Sequence, residues 1–146
     1  MRAVRLGLVS VVMLLPFLSG CSAYGQYCDA VEKAQPQLLD FGKKSTKAFA
    51  EYSKLSQQIA DVAPEDVADD WTAIAKATGE VAAEHRSAHI DLADMDDSAM
   101  TGSLTRDQIK ALNQAYLNFN DTQQARKTVV ADVLERCKID LAEKEK

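Results

Sequence analysis

Gly42-Lys43-Lys44-Ser45 separates two apolar stripes of helical spacing, and reading it as a turn or as helix decides how many helices the chain has. Before it, Tyr24, Tyr27, Cys28, Val31, Ala34, Leu38 and Phe41 recur at intervals of three and four. After it, Phe49, Tyr52, Leu55 and Ile59 do the same. That period marks one face of an α-helix, and strand-like alternation is absent. The glycine and its polar followers read as a turn. Helix 1 then runs from about Tyr24 to Phe41 and helix 2 from about Thr46 to Val62. Pro36 is expected to kink or split helix 1, because proline lacks a backbone donor and clashes with the preceding turn.

The same period continues downstream. Ala63-Pro64-Glu65-Asp66 opens helix 3, with Pro64 suited to the first helical position and the two acids to the helix dipole. Its stripe is Val67, Trp71, Ile74, Thr78, Val81, His85, Ala88, Leu92 and Met95. Asp96 to Ser103 reads as a polar loop. Helix 4 has the clearest start in the chain. Thr105 with Gln108 makes a capping box, and Leu104 with Ile109 a hydrophobic staple. Its stripe is Ile109, Leu112, Tyr116, Phe119, Gln123, Arg126, Val130, Val133 and Cys137. No internal repeat or low-complexity tract is visible.

The first 20 residues are of another kind. Arg2 and Arg5 precede an apolar run from Leu6 to Phe17, too short for the roughly 20 residues that span a bilayer. Leu18-Ser19-Gly20-Cys21 follows. This resembles the lipobox of bacterial lipoproteins. The resemblance implies that residues 1–20 are a signal peptide and that Cys21 becomes the diacylated first residue of the mature chain. Two acyl chains, of the palmitate kind, hold a protein stably at a membrane where one does not. The expected organisation is a signal peptide at 1–20, a lipidated cysteine and tether at 21–27, and a helical domain at 28–146. Overall the chain resembles the small helical lipoproteins of high-GC Gram-positive bacteria, on the lipobox and the Cys28/Cys137 pattern.

With Cys21 assigned to lipid, Cys28 and Cys137 are left outside the cytoplasm, where two such cysteines usually pair. Closing a loop of roughly 110 residues stabilises by roughly 4–5 kcal/mol in the chain-entropy model. Pairing also bears on the opening question. Were residues 24–61 one helix, three long helices would put the two cysteines at opposite ends of a bundle. A disulfide needs its Cα atoms within about 7 Å. Four helices, up-down-up-down, bring the start of helix 1 beside the end of helix 4. The expected fold is all-α: a four-helix bundle with a longer helix 3/helix 4 hairpin and one disulfide. A three-helix bundle with free thiols is the alternative.

The chain has 17 basic and 22 acidic residues. Without residues 1–20, 126 residues remain, Arg2 and Arg5 are gone, and 15 basic against 22 acidic residues give a net charge of −7. An acidic surface argues against nucleic acid and against electrostatic adhesion to anionic lipid. Membrane contact is expected through the anchor alone.

Candidate chemistry is sparse. His85 and His89 are spaced to share a metal, but no third ligand is placed by sequence, so a histidine at the core edge is the plainer reading. Asp91, Asp94, Asp96 and Asp97 fail the EF-hand pattern, with Ala99 where glycine is needed and Thr105 where the bidentate glutamate belongs. Gln123 and Arg126 interrupt the helix 4 stripe. They read as a polar layer partnered by Tyr52, Glu51, Asp40 or Thr78, or as a small ligand pocket. Nothing places Glu51, Glu80 and Glu84 together as an acid–base pair. Phosphate-loop, serine-nucleophile and Cys-x-x-Cys motifs are absent. No cofactor and no enzymatic activity are expected.

Helices 1 and 2 span about 17 residues each and helices 3 and 4 more than 30, so the second hairpin should overhang by roughly 20 Å at 1.5 Å per residue. Leu92, Met95, Leu112 and Tyr116 would then be covered by one partner helix only, a candidate surface for an envelope protein or a second copy. A kink at Gly79, or residues 96–104 folding back as a cover, would remove that surface. Ser22 to Tyr27 reach about 25 Å at most, which keeps the Cys28 end near the membrane. The expected role is a non-enzymatic binding or structural component of the envelope. The second expectation is a ligand- or metal-binding lipoprotein using Arg126, or His85 and His89.

Overall fold

The computed structural model describes residues 24–39 and 45–142. The signal segment, Cys21, Asp40 and the Gly42-Lys43-Lys44 turn lie outside the described residues. Among those described there are six α-helices and no strand. They are α1 (Gly25–Leu39), α2 (Thr46–Ala60), α3 (Glu65–Ala88), α4 (Ser98–Gly102), α5 (Arg106–Asp121) and α6 (Gln123–Cys137). A 3₁₀ turn, Leu92–Asp94, lies between α3 and α4.

Local chemistry explains most of the boundaries. Ser45 caps α2, its hydroxyl accepting from the Ala48 amide at 3.1 Å. The expected capping box of α5 is present. Thr105 Oγ1 accepts from Gln108 N, and Gln108 Oε1 accepts from Thr105 N at 2.9 Å. Pro64 sits one residue earlier than expected: at ψ 147° it is extended and precedes the helix rather than starting it. Pro36 does not split α1, which continues to Leu39. Its lost bond would have gone to the carbonyl of Glu32, an exposed residue.

Two expectations about helix length fail for identifiable reasons. Helix 3 does not reach Met95. His89 adopts a left-handed conformation (φ 56°, ψ 34°) and ends α3 at Ala88. The Ile90 amide donates back to the His85 carbonyl and the His89 amide to that of Arg86, a Schellman closure that satisfies carbonyls at the helix end. It turns Ile90 into the core. The expected last turn of helix 3 instead forms the 3₁₀ turn, and the expected polar loop contains α4, with the Asp91 and Asp97 carboxylates accepting amides at each start.

Helix 4 is likewise two helices. At Thr122 (ψ 6°) the amide bonds to the Phe119 carbonyl three residues back, and α6 begins with a shifted phase. Leu112 and Ala115 face inward before the break, and Val129, Asp132 and Val133 after it. Gln123 is exposed and Arg126 half-buried. Ile109, expected on the core stripe, is 43 % exposed.

The helices form a bundle with α3 at its centre, against α2, α5 and α6, while α1 contacts α2 and α6. Three apolar clusters lie along α3. The largest joins Tyr27, Val31 and Leu38 of α1 with Ile59, Trp71, Ile74, Val129 and Val133. At its edge Cys28 and Cys137 form the expected disulfide, with Cα atoms 5.2 Å apart and a sequence separation of 109. Free thiols are therefore excluded. The middle cluster is Phe49, Val81, Ala82 and Ala115. The third, at the opposite end, is Ala88, Ile90 and Leu112. Gly79 does not interrupt α3. A Cβ there would stand 2.8 Å from Ser53 Oγ, so glycine permits the close approach of α2.

Candidate functional site

The end of α3 away from the disulfide collects most of the residues singled out by sequence. His85 is 1 % exposed. Its Nδ1 lies 3.0 Å from the Ile90 carbonyl, and its Nε2 lies 2.6 Å from the Tyr116 hydroxyl of α5. A carbonyl only accepts, so Nδ1 carries the proton and, in the neutral ring, Nε2 accepts from Tyr116. Both nitrogens are thus engaged within the protein. His89 is exposed beyond the helix end, in the left-handed residue that stops α3. The i, i+4 geometry that would let the two share a metal is lost with the helix. Among the described residues no group of three or more metal-ligating His, Cys, Asp or Glu side chains occurs.

The four residues of the expected partner surface meet here: Leu112 is buried, and Leu92, Met95 and Tyr116 are half-buried. Leu112 is 3 % exposed. Met95 and Leu104 pack on it, and Leu92 and Tyr116 pack on the Phe49 cluster. The Leu92 amide donates to Thr46 Oγ1 at the start of α2, which holds the segment after α3 down over the apolar stripe. Of the 96–104 stretch weighed as a cover, Leu104 packs on the Leu112 cluster. Met100 and Ile109 are the large apolar side chains left exposed there, at 39 % and 43 %. Burial pushes the Tyr116 phenol above its ordinary value. The Ala93 amide, donating to the Asp91 carboxylate, holds that group below the usual carboxylate range.

Arg126 is committed to the joint between α5 and α6. Its Nη1 donates to the Phe119 carbonyl (2.8 Å) and to Thr122 Oγ1 (2.6 Å), and the guanidinium lies 4.4 Å from the Phe119 ring centre. Thr122 Oγ1 also donates to the Phe119 carbonyl, at 2.7 Å. The arginine fills a helix break and adds a third bond to the Phe119 carbonyl, which also accepts from the Thr122 amide and hydroxyl. It does sit near Tyr52, whose phenol is raised by burial and lowered by that charge. Gln123, exposed, is not part of the group.

Sequence reasoning missed a second polar constellation, beside the disulfide. Trp71 Nε1 donates to the Tyr27 hydroxyl (3.1 Å), which donates to Asp132 Oδ2 (2.9 Å). Arg136 Nε donates to the other carboxylate oxygen, and its Nη2 pairs with Asp66 of α3. The guanidinium also lies 4.7 Å from the ring centre of Tyr24. Asp132 is 9 % exposed. Burial raises the Tyr27 phenol well above its ordinary value, and the adjoining carboxylate adds to this. A signal was available. Trp71 and Tyr27 both sit on apolar stripes, and a buried indole and phenol need partners. Asp132 and Arg136, four apart on one helix, are the pair that supplies them. This network locks α1, α3 and α6 together.

An open groove between α1 and α2 is lined by Ala30, Ala34, Leu55, Ile59 and polar residues along its edges. No family model, curated protein or solved structure matches the chain.

Proposed function

We propose that this protein is a lipid-anchored component of a bacterial cell envelope, exported and acylated at Cys21, with a non-enzymatic binding or structural role. The observation that carries the reading is the disulfide that follows the lipobox. Leu18-Ser19-Gly20-Cys21 is the sequence of a lipoprotein processing site, and seven residues later Cys28 is joined to Cys137. Structural disulfides belong to oxidising compartments, which agrees with export. Among the described residues no helix is long and apolar enough to cross a membrane; in this reading attachment is through the acylated Cys21.

In this reading the helices form an up-down-up-down four-helix bundle whose fourth arm is α5 and α6 joined at Thr122. The tether from Cys21 leads directly into the disulfide end, so the end bearing α4 points away from the membrane. That end is where an envelope protein or a second copy would be met. Met100 and Ile109, exposed there, are better placed for such contact than the packed Leu112. The main experiment is fractionation with fatty-acid labelling. Wild-type protein partitions with membranes and takes up the label, and Cys21→Ala does neither. Continued labelling and membrane association of Cys21→Ala would overturn the anchor. For the partner surface, cross-linking and light scattering compare wild type with a Met100→Glu/Ile109→Glu variant. A strictly monomeric wild type that captures no envelope protein would remove that part of the reading.

A further inference from the structure

We draw no further inference here: the strongest candidate, the open groove of about 420 Å³ between α1 and α2, floored by Ala34 and Ile59 and edged by Asp29, Lys33 and Gln58, carries nothing because nothing in the structure shows what covers it.

Discussion

Replacing Asp132 by alanine tests whether the polar network beside the disulfide holds the bundle together. The carboxylate serves two donors, the Tyr27 hydroxyl and the Arg136 guanidinium. Tyr27 is fully buried, so its hydroxyl cannot turn to water when Asp132 is lost. Leaving a buried donor unsatisfied costs about 1–3 kcal/mol. Arg136 is different. Its side chain is 22 % exposed and keeps Asp66, so solvent and that partner take over. Asp132→Ala should therefore destabilise by about 1–3 kcal/mol, set by the orphaned Tyr27 hydroxyl. Tyr27→Phe leaves the buried Trp71 indole without its acceptor and should cost about 1–3 kcal/mol as well, and in its background Asp132→Ala should lose much of its effect, because the orphaned hydroxyl is gone. Urea unfolding of the oxidised soluble domain reads this directly. Trp71 is the chain's only tryptophan, and its indole is part of the network. A cost below about 0.5 kcal/mol for Asp132→Ala, or full additivity with Tyr27→Phe, would refute the reasoning.

Other outcomes follow from separate features. Intact-mass alkylation of the soluble domain should find no free thiol before reduction, and reduction should lower stability by roughly 4–5 kcal/mol or less in chemical denaturation. Leu112→Ala should cost about 2–5 kcal/mol, and Ile109→Ala, on the exposed side of the same helix, within about 0.5 kcal/mol; equal costs would mean that α5 is rotated from the orientation described. Gly79→Ala should gain up to about 1 kcal/mol of helix propensity when Ser53 is also alanine. With Ser53 intact that gain should shrink, since the new methyl displaces the hydroxyl from its 2.7 Å bond to the Ala75 carbonyl. Tyr27, Tyr52 and Tyr116 all titrate above their ordinary value in the fold. The folded state then holds those protons more tightly, so stability is intact below about pH 10 and falls as pH rises past it. Urea midpoints between pH 8.5 and 11 should drop, with a shallower slope for Tyr27→Phe; a flat profile would contradict the burial of these phenols.

The legible parts of the fold were those written in short-range chemistry or strict periodicity. Thr105 and Gln108 announce a helix start because the two side chains satisfy each other's backbone within one turn. The apolar spacing of α2 and the first part of α3 is regular, and the inward faces agree with it. The cysteine count, once the lipobox resemblance set Cys21 aside, paired Cys28 with Cys137. The illegible parts were stops made without glycine. A left-handed histidine at 89 ends α3, yet the stripe runs on through Leu92 and Met95, because the chain that leaves the helix returns to the same core. Thr122 breaks the last helix through local side-chain bonds, and a residue that can do so looks no different from one on a solvated face. Once the phase had shifted there, Arg126 moved from the interior to the joint and Asp132 moved inward. The candidate site suffered in the same way. His85 was placed correctly on its stripe, but its two acceptor and donor partners, Ile90 and Tyr116, depend on the turn that the periodicity hides.

The bridge between Cys28 and Cys137 also determines how the domain carries mechanical load. It closes the chain from Cys28 to Cys137 into one covalent ring. A pull applied on either side of the bridge passes through the sulfur–sulfur bond, and of the described helices only the Gly25–Tyr27 start of α1 lies outside the ring. The helical residues inside the ring are shielded from that pull. Under the proposed acylation at Cys21, a tug on the anchor would move the ring as one piece.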